Sequence, residues 1–309
     1  MRIFALLAVC AALSATATAQ RPAPFVIAET GEAFGTLDEA VRAIGDRRGT
    51  IRIAPGRYGD CAVQVAGVIS YVAVEPGTAI FEGGACEDKA TLVLRGRGAS
   101  VEGLIFTGIS VPDGNGSGIR IEEGDLDVSH TLFTDSQGGI LSANDPSSAI
   151  RIDHSTFRRL GKRPDGNGAH SLYINYYGQL TVTNSRFEQG TGGHYLKSRA
   201  PVVEIANNSF DDSEGRETNY HIDLSVGATG RIAGNVFVQG VNKENYSTII
   251  AVSPEGRDHS TRSLVIENNR AWVSPGFPWN TVFVGDWSGE GLTVRNNELG
   301  DRIAEFDRR

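Results

Sequence analysis

One arrangement of apolar and polar positions recurs along the chain: an aliphatic residue, then Asn, Gly or His two positions on, then an aromatic or apolar residue five positions on. It runs Val101/Gly103/Phe106, Val128/His130/Phe133, Ile152/His154/Phe157 and Val182/Asn184/Phe187. It continues Ile205/Asn207/Phe210, Ile232/Gly234/Phe237, Ile266/Asn268/Ala271 and Val294/Asn296/Leu299. The steps are 27, 24, 30, 23, 27, 34 and 28 residues. Copies at unequal spacing predict the coils of a solenoid with loops of different length. The first and last residues of each copy would point into the cylinder, and the polar pair between them would bend the chain. Asn suits such a bend because it tolerates the left-handed conformation. Equivalent residues on successive coils lie about 4.8 Å apart, so a ladder of these Asn side chains is expected. No coil buries its inner face alone, which makes the stack cooperative.

A second strand is expected after each bend and a variable loop: Gly118–Glu122, Gly139–Ser142, His170–Asn175, His194–Arg199, Tyr220–Ser225, Thr248–Ser253 and Thr281–Asp286. Val202–Ala206 supplies a third strand just before a bend. At the front, residues 34–41 read as a short amphipathic helix, followed by Gly49-Thr50-Ile51-Arg52-Ile53-Ala54-Pro55-Gly56-Arg57-Tyr58. Three strands per coil, an Asn bend, a long variable loop and this helix-then-strand entry resemble the pectate-lyase-like right-handed parallel β-helix superfamily, over about residues 34–300. The resemblance implies an all-β, right-handed, single-stranded parallel β-helix whose short N-terminal helix caps the open end of the stack. It is specific for fold and poorly specific for activity.

Residues 1–19 stand apart from the repeat. Arg2, the apolar run Ile3 to Leu13 and the small residues Ala17-Thr18-Ala19 before Gln20 read as a signal peptide. This leaves residues 20–309 as one β-helix domain, periplasmic or extracellular, and no segment offers the roughly 20 apolar residues of a membrane span. Losing Arg2 takes the net charge from −8 to −9, which argues against a nucleic-acid partner. A monomer is expected. Losing Cys10 leaves Cys61 and Cys86. An even count in an exported chain favours one disulfide.

The chemistry is expected on the second strand type, where active sites of the superfamily usually lie. With Leu172, Leu196, Ile222 and Ile250 as the inward residues, one outward column reads Arg120, Leu141, Tyr173, Lys197, Asp223, Ala251. The next reads Glu122, Ala143, Asn175, Arg199, Ser225, Ser253, and the preceding one Ser171, Tyr195, His221, Ile249. Ionisable residues thus gather on three coils. Lys197, Arg199, Tyr173, Tyr195 and His221 are the candidate catalytic groups. Asn175, Asp223, His170 and His194 are the candidate substrate contacts, the two His having inward parity, as packing or at the border of a groove. The loops after Phe157 and Phe237 would wall that groove.

Other signals carry less. Asp153-His154-Ser155 has the letters of a hydrolytic triad, but neighbouring strand residues face opposite ways. Pro112-Asp113-Gly114-Asn115-Gly116 recurs as Pro164-Asp165-Gly166-Asn167-Gly168, which turn chemistry explains. Calcium is the one cofactor these acidic turns leave open, with Asp223 a further candidate metal ligand. Trp272, Trp279 and Trp287 come late in the chain, either capping it or offering a platform for a sugar.

A carbohydrate-active protein with an acidic polysaccharide or oligosaccharide as partner accounts for the cationic pair best. β-Elimination on a uronic acid needs a cation for the carboxylate, a base and an acid. Arg199 suits the first, Lys197 the second with His221 as alternative, and Tyr173 or Tyr195 the third. A uronate epimerase shares the first half of that chemistry. A glycoside hydrolase needs two placed carboxyl groups, and Asp223 alone lies in the patch. A non-catalytic polysaccharide-binding or envelope-structural solenoid fits the repeat and the export equally.

Overall fold

The computed structural model describes residues 23–161 and 169–309. The expected signal peptide and the second Pro-Asp-Gly-Asn-Gly turn lie outside them. The chain winds into a parallel β-solenoid of three sheets with 12, 10 and 10 strands. Its entry pairs antiparallel, Phe25–Ile27 lying between Ala33–Phe34 and Arg48–Ile53. The helix Leu37–Ile44 is held by a capping box between Thr36 and Glu39 and buries Leu37, Ala40, Val41 and Ile44. Cys61 and Cys86 form the expected disulfide, with Cα atoms 5.5 Å apart.

The repeat positions land in register. Phe81, Phe106, Phe133, Phe157, Phe187, Phe210 and Phe237 pair coil to coil in the second sheet. Their rings are buried and stack with centroids between 4.7 and 5.7 Å apart. In the third sheet Ile140, Leu172, Leu196, Ile222 and Ile250 form the matching inner column. Offset aromatic stacking and full burial make this interior the main source of cohesion.

The bend residues His130, His154, Asn184, Asn207, Asn268 and Asn296 all take positive φ, between 45° and 59°. The amide ladder, however, is built by the residue after them. Asn208, Asn235 and Asn269 each donate through Nδ2 to the next coil's Asn Oδ1 at 3.0 Å. Each also donates to a buried backbone carbonyl at 2.8–3.0 Å. The reason is direction: the left-handed residue throws its own side chain outward and turns the next one in. His130 and His154 accordingly stack on the outside, 5.2 Å apart.

Candidate functional site

The third-sheet strands shorten to three residues at mid-stack, Leu172–Ile174, Leu196–Ser198 and Ile222–Leu224. Tyr173, Lys197 and Asp223 are neighbours across them, facing out as the alternation requires. Tyr195 and His221 precede these strands, at the corner with the second sheet, and there the alternation fails. Both are buried, at 1% and 0% exposed. Their rings stack 5.6 Å apart, and the His221 ring meets Phe210 and Phe237 edge-on. They are interior residues and cannot reach a substrate on the outer face. Their own column held the warning: it starts with Gly118 and Gly139, where an added Cβ would strike Phe133 and Phe157, and ends in Ile249 and Phe283, both buried.

The corner also encloses Asp212 and Lys243, joined at 3.1 Å with both side chains 0% exposed. Tyr195 donates to Asp212 Oδ1 at 2.6 Å, and Thr218 donates to the same carboxylate. Gly215 and Gly240 press so close that a Cβ would fall within 2.0 Å of Asp212 oxygens. Burial, then the Asp212 charge, raises the Tyr195 phenol well above its usual value. Burial, then the Lys243 charge, lowers the His221 imidazole to about 3.

If the corner turns Tyr195 in, it turns His170 and His194 out, against the inward parity expected for them. Their rings stack at 4.7 Å, and Tyr220 continues the stack on His194 at 5.2 Å. The His194 backbone N–H donates to His170 Nδ1, and the Tyr220 N–H to His194 Nδ1. That fixes the proton of neutral His194 on Nε2, which lies 3.4 Å from Asp223 Oδ2. Burial, with the charges of His170, Lys197 and Lys243, keeps His194 well below the usual imidazole value.

On the outer face the Lys197 ammonium pairs with Asp223 at 3.3 Å and with Glu255. Arg199 donates to the other Glu255 oxygen at 2.6 Å, to Asn175 Oδ1 at 3.0 Å and to Tyr173 Oη. The guanidinium carbon lies 5.2 Å from the Tyr173 ring centroid and Lys197 Nζ 5.6 Å from it. Glu255 follows the strand Thr248–Val252 and escapes sequence reasoning because no repeat position carries it. It makes the segment after that strand a wall of the site. The loop after Phe237 sends Lys243 inward, and part of the loop after Phe157 lies outside the described residues.

Two carboxyl groups thus flank one ammonium, displaced in opposite directions. Burial pushes Asp223 up to about 6, against the pull of Lys197. Burial would raise Glu255 too, but hydrogen bonds and charge from Lys197, then Arg199, hold it below its usual value. At Asp223 one oxygen is taken and the other, Oδ1, is buried without a hydrogen-bond partner among the described residues. The taken oxygen, Oδ2, meets Lys197 and the Ser225 hydroxyl at 3.0 Å, so a calcium ion there would have to sit against an ammonium. Among the described residues no three His, Cys, Asp or Glu side chains are grouped to hold a metal. Two surface cavities, of about 510 and 460 Å³, lie elsewhere, beside Arg159 and Arg216 and beside Arg95 and Arg97. The tryptophans have separate neighbours: Trp279 stacks on Tyr246 at 4.4 Å, and Arg309 lies over Trp287.

Residues 91–301, more than half of the chain, match the family model described as "Right handed beta helix region". The chain belongs to the right-handed beta helix family. Its fold is the right-handed parallel β-helix that the repeat anticipated. Among solved structures this β-helix is similar to that of a PL6-family alginate lyase, AlyGC, at 15% identity and a TM-score of 0.39. The match covers 86% of this chain and 39% of that one, so the β-helix spans well under half the length of that protein. No curated protein sequence matches it. No helix among its described residues is long and apolar enough to cross a membrane.

Proposed function

We propose that this β-helix is an exported protein acting on an acidic polysaccharide, by β-elimination or by epimerisation at a uronate. The observation that carries the reading is the seat of Glu255: one carboxylate, held oxygen by oxygen between Lys197 and Arg199. A uronate carboxylate presents the same group to the same two cations. Removing the proton at C5 moves charge onto that carboxylate, and two cations in a partly dry site stabilise it more than water would. Arg199 is the stronger partner because its planar fork matches a carboxylate.

Lys197 therefore passes from base to carboxylate clamp, since its ammonium is already held by Glu255 and Asp223. Tyr173 takes the proton transfer. A guanidinium N–H donated to its oxygen favours negative charge there, so Tyr173 as the phenolate can accept the C5 proton and, as the phenol it then becomes, give that proton up again. Returned to the O4 leaving group, it completes elimination and leaves a C4–C5 double bond. Epimerisation would instead need C5 to take a proton from solvent on the opposite face, the original C5 proton staying on Tyr173. Asn175 and His194 line the seat, and Asp223 positions Lys197. Export is supported by the disulfide.

A hydrolase reading gains one observation, the second carboxyl group with Asp223 and Glu255 displaced in opposite directions. Against it, Asp223 is 1% exposed and both carboxyls are engaged with Lys197. The test is a screen of uronate-containing polymers, following the ultraviolet absorbance of an unsaturated uronate beside new reducing ends. Absorbance is expected, and Arg199→Lys should lower it roughly 100-fold with the melting temperature unchanged. New reducing ends without absorbance would transfer the site to hydrolysis. A silent screen, with no uronate product by NMR, would remove the catalytic reading.

A further inference from the structure

We infer that Glu255 is an internal competitor for the carboxylate seat: its side chain occupies the position a ligand's uronate group takes, and binding proceeds by exchange of one carboxylate for the other. The inference rests on the reading of the seat given above.

Three observations support it. The contacts are those of a bound ligand, with one oxygen on Lys197 and the other on Arg199. The receptor groups are more buried than the occupant, with side chains 7% and 19% exposed against 41% for Glu255. A half-exposed carboxylate seated on two sheltered cations can leave into water without opening the wall.

The backbone confines the movement. The N–H groups of Glu255 and Gly256 both donate to Ser225 O, at 2.9 and 3.1 Å, and the His259 N–H donates to Val226 O at 3.0 Å. His259 Nε2 reaches the Arg199 carbonyl, and Tyr176 donates to Asp258 at 2.6 Å. The Ser253 N–H donates to Leu224 O at 2.9 Å, so the segment is tied to preceding coils before and after Glu255, and a rotation of that one side chain clears the seat. The departing carboxylate keeps full hydration, while the incoming one gains both cations. Neutral sugars gain nothing from the exchange. Glu255 thereby sets the affinity that an incoming uronate must exceed to take the seat.

The experiment measures binding of D-galacturonate, D-glucuronate and neutral galactose to the parent, Glu255→Gln, Glu255→Ala and Arg199→Ala by calorimetry or ligand-observed NMR. Removing the competitor should tighten uronate binding about five- to tenfold in both Glu255 variants and leave galactose unchanged. Arg199→Ala should lose uronate binding. Uronate affinity equal to or weaker than the parent's in both Glu255 variants, with Arg199→Ala still defective, would overturn the competitor and keep the seat. Absence of uronate binding in the parent and both Glu255 variants would overturn the seat and the competitor together.

Discussion

Two lysine–aspartate pairs lie on opposite sides of the same wall. Lys243 and Asp212, 3.1 Å apart, are sealed in the corner between the second and third sheets, while Lys197 and Asp223, 3.3 Å apart, stand on the outer face. Each pair has a tyrosine near it, and Tyr195 and Lys197 are only two residues apart on one coil. The inner network has every partner supplied by the chain: Tyr195, Thr218 and the Gly240 N–H all close on Asp212. The outer one borrows Glu255 from a wall segment and leaves that group half in water. Saturated and buried, the first can only hold the corner together. Sheltered on one side and open on the other, the second can exchange partners. Similar residues on one coil therefore carry different duties according to which side of a single bend they fall.

The largest effect should come from breaking the inner pair. Asp212→Asn leaves Lys243 charged in a sealed site, at a cost of about 3–5 kcal/mol, read as a fall in the urea midpoint. A loss below 1 kcal/mol would show that the corner is wetter than described.

The sharpest contrast is between the two tyrosines. Tyr195→Phe should cost about 1–3 kcal/mol by leaving Asp212 short of a donor, with turnover kept at temperatures where the protein is folded. Tyr173→Phe should do the reverse, abolishing turnover with stability nearly intact. If both variants behave alike, the division into inner and outer networks fails. Lys197→Ala is a poorer probe, because it strands an Asp223 that is 1% exposed.

The last effect is a slope, absent at neutral pH and seen only on acidification. The folded-state His221 value, about 3, is below that of an unfolded imidazole, 6.5. The unfolded chain therefore binds the proton first, and stability is present above pH 6.5 and lost as pH falls towards 3. His221→Gln should flatten stability against pH across that window by up to roughly 1.4 kcal/mol per pH unit. Parallel curves for parent and variant would place the imidazole in contact with water.

The fold was legible because burial of a repeated aliphatic–aromatic pair leaves its period in the chain, whatever lies between the copies. The disulfide followed from parity of the cysteine count in the same way. Tyr173, Lys197 and Asp223 could be brought together from residue spacing because they lie within regular strand, where alternation holds. Tyr195, His221, His170 and His194 could not, since alternation stops one residue short of Leu196 and its equivalents. The Asn ladder was displaced by one position for a related reason: a left-handed residue reverses which neighbour faces inward. Glu255 left no trace in the repeat. It reaches the seat through a loop whose path depends on the coil beneath, so only three-dimensional placement reveals it.

The phenylalanine stack also gives the molecule a direction. It runs unbroken from Phe81 to Phe237, where Ala271 takes the next register position, and Phe283 meets Phe237 edge-on at 5.6 Å. Beyond that point the coils are joined by strand pairing and the Asn ladder, and among the described residues no ring-on-ring contact within the second sheet reinforces them. In a solenoid the stability of each coil is largely its own plus that of its two interfaces. Local opening should therefore begin on the far side of Phe237 and travel inward. The Lys197–Arg199 seat belongs to the coils within the stack, while Glu255 is carried by the first segment outside it. Receptor and occupant thus come from parts of the chain with different resistance to opening: the cations ride on the durable half, and the group that must move rides on the half that loosens first.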